Sequence, residues 1–226
     1  MESVEGFFDL IRSYNTAIWP MHVLTIVLGV AAAILALRKT RESDKIIAGI
    51  LAFLWLWSGV VFFMIFFGSW TPTFFGLAVP GFGYLSGALF IVQGAIFVSV
   101  GILRSSLSFK PTADVYGVIG TVLVVYAVVV YPVIGWATGH PYPGYPVFGT
   151  AACPVAIFTV GMLCWTNRRM PQFTPIIPMI WGFAGILAVV AIKVWADAGL
   201  FVAGILGVVI LRRNAGMSAH RPRAVL

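Results

Sequence analysis

Charge is scarce in this chain. Lys, Arg, Asp and Glu make up 9% of its 226 residues, against roughly 25% in a soluble domain. With 61% of the residues hydrophobic, too few charges remain to solvate a globular surface, and the natural solvent is lipid. Cysteine is nearly absent too. Cys153 and Cys164 are eleven residues apart, about 16 Å along a continuous helix at 1.5 Å per residue. That span is beyond disulfide reach, so both read as free thiols or as partners of something outside this pair. No nucleotide-binding loop, Ser-His-Asp order, paired buried carboxylates or haem-attachment motif occurs. No enzyme class is indicated and no cofactor is implied. Carboxylates are missing from the middle of every apolar run, and Lys193 stands at the end of one. A retinal protein needs a mid-helix lysine with carboxylate counter-ions, and is excluded on that ground. The first residues carry Glu2, Glu5 and Asp9 against Arg12, the wrong sign for a cleaved signal.

What is present is a series of apolar runs. Crossing about 30 Å of hydrocarbon takes about 20 residues. Ile18–Leu37, Ile46–Phe67, Leu85–Leu103 and Val115–Trp136 qualify, a shorter run covers Ala151–Thr166, and Pro175–Leu211 is interrupted only near Lys193 and Asp197.

Basic residues order these runs. Arg38, Lys39, Arg41 and Lys45 follow the first, Arg104 and Lys110 the third, Arg168 and Arg169 the fifth, and Arg212, Arg213, Arg221 and Arg223 the last. Those are twelve of the fourteen, and the connections around 68–84 and 137–152 have none. The alternation is the positive-inside pattern, with the N-terminus outside and the tail cytoplasmic. It assigns the excess of basic residues to one face of a membrane, not to nucleic acid. Because Arg168/Arg169 and Arg212/Arg213 share a side, the last stretch crosses twice, with a tight outer turn near Lys193–Gly199. The expectation is an all-α, seven-helix transmembrane bundle. A six-helix version with a re-entrant fifth segment would break the alternation.

Three regions follow. Residues 1–14 form an outer interfacial helix, with Val4, Phe7, Phe8 and Ile11 at helical spacing. Residues 15–211 form the bundle and 212–226 a basic cytoplasmic tail. "TAIWPMHVLT" (Thr16–Thr25) and "TAACPVAIFT" (Thr150–Thr159) share T-A-x-x-P-x-x-x-x-T. The echo suggests two parallel three-helix halves joined by the fourth helix, as in transporter repeats, although apolar sequence generates such matches readily.

Tyr131–Phe158 holds five of the thirteen prolines, with His140 and Cys153. Its core, the 137–153 strap, faces outward in this topology. Proline stiffens it by fixing φ and removing N–H donors, and its aromatic rings suit the interface. Together "NTAIWP", "FLWLWSG", "VQG" and "YPVIGWATGHPYP…FGT…CPVAIFTVG" resemble an uncharacterised family of bacterial polytopic membrane proteins, domain of unknown function 6064, from about Asn15 to Leu211. The resemblance implies a multi-pass membrane protein and brings no activity with it.

Polar groups inside a membrane are expensive and point to function. Asn15, His22, Tyr131, His140, Cys153, Lys193 and Asp197 fall at or near the outer leaflet, and Gln93 near mid-membrane. They suggest a polar outer vestibule walled by the first, fourth, fifth and seventh spans, binding or translocating a small solute or ion. The candidate ligand-binding set is His22, His140, Asn15, Tyr131, Gln93, Lys193 and Asp197. His22, His140 and Cys153 could hold Cu(I) or Zn²⁺, although no close ligand spacing supports a metal. Plainer roles compete: His22 bonding a neighbouring helix, His140 solvated in a loop, Cys153 inert, Gln93 bridging helices, and Lys193 pairing with Asp197 at i, i+4. The strap is expected to be a rigid lid that turns His140 and Cys153 towards His22. Besides the lipid bilayer, expected partners are that solute or ion and another membrane protein or a second copy. The alternative function is a non-transporting accessory subunit that docks a membrane or periplasmic partner through the strap.

Overall fold

The computed structural model describes residues 2–219, which are mostly helical. In chain order they form α1 (Glu2–Ala17) and α2 (Met21–Leu37). There follow α3 (Ser43–Phe66), α4 (Phe82–Leu103) and α5 (Val115–Ala137). Next come α6 (Ala152–Cys164), α7 (Ile176–Ile192) and α8 (Ala198–Ala219). A small antiparallel hairpin of β1 (Thr73–Phe74) and β2 (Leu77–Ala78) precedes α4.

The helices match the apolar runs, shifted at their ends by local chemistry. Pro20 has no N–H to donate, so α2 starts after it, at Met21. The last run splits where expected: Lys193 takes a left-handed φ of +65° and a 3₁₀ turn, Trp195–Asp197, leads into α8. Among the described residues four stretches are long and apolar enough to cross a membrane: α3, α4, α5 and Trp195–Gly216. α1 and α2, bent by 87°, add a fifth if taken as one span, while α6 and α7 are shorter. These apolar helices point to a multi-pass membrane protein.

α6 is the axis. Every residue from Pro154 to Cys164 is buried, and α3, α5, α7 and α8 pack around it. Trp55 of α3 donates from Nε1 to Thr159 Oγ1 at 2.8 Å and stacks on Phe90 of α4. α5 approaches closely: a Cβ on Gly120 would lie 2.5 Å from the Trp165 ring and 2.7 Å from the Gly161 carbonyl. Small residues permit such contacts in lipid. α2, in contrast, lies at the edge, packed chiefly on α3, so the two helices that share the T-A-x-x-P opening occupy unlike places.

One end of the bundle is basic. There Lys39 pairs with Asp44 at 3.0 Å, whose Oδ1 also accepts from Phe109 N at 2.8 Å. Asp114 caps α5, accepting from Gly117 N at 2.9 Å. That bond, with one from Thr112, holds its carboxyl below the usual carboxylate range. Arg212 and Arg213 continue α8 as helix, which runs to Ala219. Arg221 and Arg223 of the expected tail lie outside the described residues.

The opposite end carries the strap and α1. Phe8, Ile11 and Tyr14 of α1 are buried, while Asp9 and Arg12 pair on its exposed side at 2.7 Å. α1 crosses the ends of α3 and α7.

Candidate functional site

The strap is seated in the elbow between α1 and α2. Asn15 Nδ2 donates to the carbonyls of Pro143 and Tyr145 at 2.7 and 2.8 Å. Tyr14 Oη donates to Thr150 O at 2.7 Å, and Thr25 Oγ1 to Phe148 O at 3.2 Å. His22 bridges Thr150 Oγ1, at 3.2 Å from Nδ1, and Asn15 O, at 3.1 Å from Nε2. Gly149 makes the fit possible. Its φ is +83°, a conformation that disfavours a side chain, and a Cβ there would lie 2.4 Å from Thr25 Cβ. Asn15 and His22 therefore belong to the seat of the strap. The expected wall from the first span is absent from the cavities described below, because α2 lies at the periphery.

The strongest polar cluster lies deeper, at the turn between α7 and α8. Asp197 is 1% exposed. Tyr131 of α5, itself fully buried, donates from Oη to Asp197 Oδ1 at 2.7 Å. Tyr126, also on α5, donates to Ala196 O at 2.9 Å and fixes the same turn. Cys153, in the first turn of α6, brings its thiol beside the carboxyl and the Tyr131 hydroxyl. Trp181 Nε1 of α7 lies near that sulfur without a well-aligned hydrogen bond. Three elements far apart in sequence thus converge on one carboxyl.

Two openings flank the cluster. A cavity of about 70 Å³ is lined by Asp197 and Cys153 together with the aromatic residues Phe7, Phe74, Phe82 and Trp181, and by aliphatic residues of α7 and α8. On the Tyr131 side, a cleft of about 10 Å³ lies among Tyr131, His140, Tyr145, Lys193 and Trp195, room for about one water. His140 stacks on Phe8, with ring centroids 3.6 Å apart and planes 15° apart. Burial, helped by the nearby Arg12 guanidinium, lowers its pKa from the usual imidazole value.

Several expected groupings are corrected. Lys193 is exposed, and no ion pair joins it to Asp197 among the described residues. The helix breaks at Lys193 itself, so the i, i+4 geometry never forms. His140 lines the small cleft, Cys153 the larger cavity, and His22 neither. The strap therefore does not turn His140 and Cys153 towards His22. Among the described residues no group of three His, Cys, Asp or Glu side chains could hold a metal ion. The His22–His140–Cys153 metal set is thus not assembled, because strap contacts hold its members apart. Gln93 lies elsewhere, fully buried, with Nε2 donating to Thr174 O at 3.1 Å.

The walls that sequence reasoning missed are aromatic. Phe74, Phe82 and Trp181 stand in apolar surroundings where packing is the ordinary role, and Phe7 reads only as part of the apolar face of the outer helix. Tyr131, Cys153 and Asp197 were marked individually, without their mutual contact.

The chain belongs to a family of unknown function, DUF6064, whose profile matches residues 4–221. No curated protein and no solved structure matches it.

Proposed function

For a member of this uncharacterised family, we propose a role as a small-solute-binding protein of the bacterial inner membrane, with the site at Asp197. The observation that carries this reading is a carboxyl 1% exposed at the wall of an otherwise apolar cavity. A buried ionisable group in a membrane protein is expensive to keep and marks a functional site by default. In the same reading the chain crosses seven times, with α6 as a short enclosed span and α7 as a short outer one. The N-terminus and strap face outward and the basic end faces the cytoplasm, so the solute arrives from outside. Translocation would require parting α6 from its neighbours, where Trp55 bonds Thr159. Binding is therefore the activity this reading assigns.

The test is a screen of small amines, acids, alcohols and sugars against the purified protein, read by thermal unfolding. A bound solute raises the midpoint by mass action. At least one class should stabilise the wild type and fail on Asp197→Asn. A screen in which no solute stabilises the wild type overturns the reading. A reporter fused after Leu226 should read as cytoplasmic, and an external reporter overturns the orientation.

A further inference from the structure

The inference deepens the solute-binding reading, on which it rests, by naming the substrate class. We propose that the Asp197 cavity takes a small alkylammonium ion, of the size of methylammonium or dimethylammonium.

Three properties of the cavity converge on that class. The first is charge. Asp197 is buried, and among the described residues no Lys, Arg or His reaches ion-pair distance of it. Tyr131 hydrogen-bonds one carboxyl oxygen but supplies no positive charge. A buried carboxylate is at its most stable with a cation beside it, because isolated burial of an ion is heavily penalised.

The second is the wall. Phe7, Phe74, Phe82 and Trp181 present four aromatic rings around the same space as the carboxyl. Aromatic faces attract cations within about 6 Å of the ring centroid, and groups of them recognise alkylated ammonium ions. Such a ligand places N–H or polarised C–H groups towards Asp197 and its methyl surface against the rings.

The third is size. The cavity of about 70 Å³ is less than half the roughly 150 Å³ that accommodates benzene in a protein core. It suits a few heavy atoms.

Rival ligands fit less well. Calcium and similar hard cations need six or more oxygen ligands, whereas this cavity offers one carboxylate among hydrocarbon walls. An anion would meet Asp197 with no basic partner, since Lys193 is on the other opening. A sugar needs many hydrogen-bonding groups, and the aromatic and aliphatic walls offer few.

The experiment uses the full chain in lipid nanodiscs, titrated with dimethylammonium chloride. Sodium chloride at equal ionic strength and ethanol, a neutral solute of equal heavy-atom count, serve as references. Binding is read by thermal midpoint and tryptophan fluorescence. Dimethylammonium should raise the midpoint saturably while the references do not. Asp197→Asn should weaken it about tenfold or more, as expected when one partner of a buried charge pair is removed. Trp181→Leu should weaken it about fivefold, and Lys193→Ala should leave it unchanged. Phe82→Leu gives a second cage variant if Asp197→Asn does not fold. If ethanol protects as well as dimethylammonium, or if the cage variants retain full affinity, the ammonium assignment is overturned while solute binding at Asp197 survives; if Asp197→Asn retains full affinity, the site at Asp197 falls as well. If no solute of any class protects the wild type, both readings fall.

Discussion

The same T-A-x-x-P pattern leads into α2 and α6, and both helices are almost wholly apolar, yet they meet different surroundings. Val23, Val27, Val30 and Ile34 of α2 are exposed, whereas α6 is enclosed from Pro154 onwards. Lipid tails and protein interiors are similarly apolar, so hydrophobicity alone does not separate a peripheral helix from a central one. The shared motif specifies a local event, proline at a helix start where no N–H is needed. Position in the bundle is specified by what neighbours can approach. Around α6 that is the close contact of Gly120 with Gly161 and the Trp55–Thr159 bond.

The largest effect should come from cutting into the central helix. Phe158→Ala removes a fully buried ring and should lower stability by about 3–5 kcal/mol. Val27→Ala in α2, at a position 57% exposed, should change it by less than about 0.5 kcal/mol. Chemical denaturation of the two variants in the same lipid measures the contrast, and equal losses would break it. Next comes the point where the approach to α6 touches α2. Gly149→Ala forces a side chain onto a φ of +83° and against Thr25, with a loss of about 2–3 kcal/mol. Thr25→Gly removes the clash but also the bond to Phe148, so the double variant should lose less than the sum of the two single variants.

Tyr131→Phe probes the start of α6 from the side of α5. Removing the hydroxyl leaves Asp197 Oδ1 without its 2.7 Å donor and should destabilise by about 1–2 kcal/mol. A neutral result would mean that Asp197 is satisfied elsewhere. The smallest effect concerns the strap that joins the two helices. Because the folded pKa of His140 lies below the usual imidazole value of 6.5, the unfolded chain binds its proton more readily. The resulting stability is complete above about pH 6.5 and is lost as pH falls through the lowered folded value. Mild acidification should loosen α1 from the strap, seen as faster proteolysis near Phe8. His140→Phe should remove that pH dependence, and an unchanged profile would assign it to another group.

Much of the helical layout was legible because long apolar runs and basic clusters are set by the membrane itself, over many residues. The break at Lys193–Asp197 was legible as an interruption of one run. The i, i+4 pairing expected of those two residues does not form, because a left-handed residue redirects the chain and sends Asp197 inward to Tyr131. His22 and Asn15 drew attention as polar residues in apolar company. Apart from the local contact of His22 with the Asn15 carbonyl, their partners are backbone carbonyls and a hydroxyl of the strap, contacts over more than a hundred residues that no local pattern encodes. The aromatic cage was illegible for a related reason: Phe7, Phe74, Phe82 and Trp181 come from four segments, and each alone looks like packing.

The seat of the strap also has a consequence for how the chain is made. Tyr14 waits for Thr150 across 136 residues, and Asn15 for Pro143 across 128. While the ribosome is still completing α5, the elbow of α1 and α2 has none of these acceptors. Unpaired polar groups in hydrocarbon are penalised by several kcal/mol each, so the early elbow should rest at the water boundary and dock only after the strap has emerged. A nascent chain arrested at Ala137 should leave α1 open to protease, and one arrested far enough past Cys164 for the strap to have cleared the ribosome should protect it. The segment synthesised first is then among the last to reach its place.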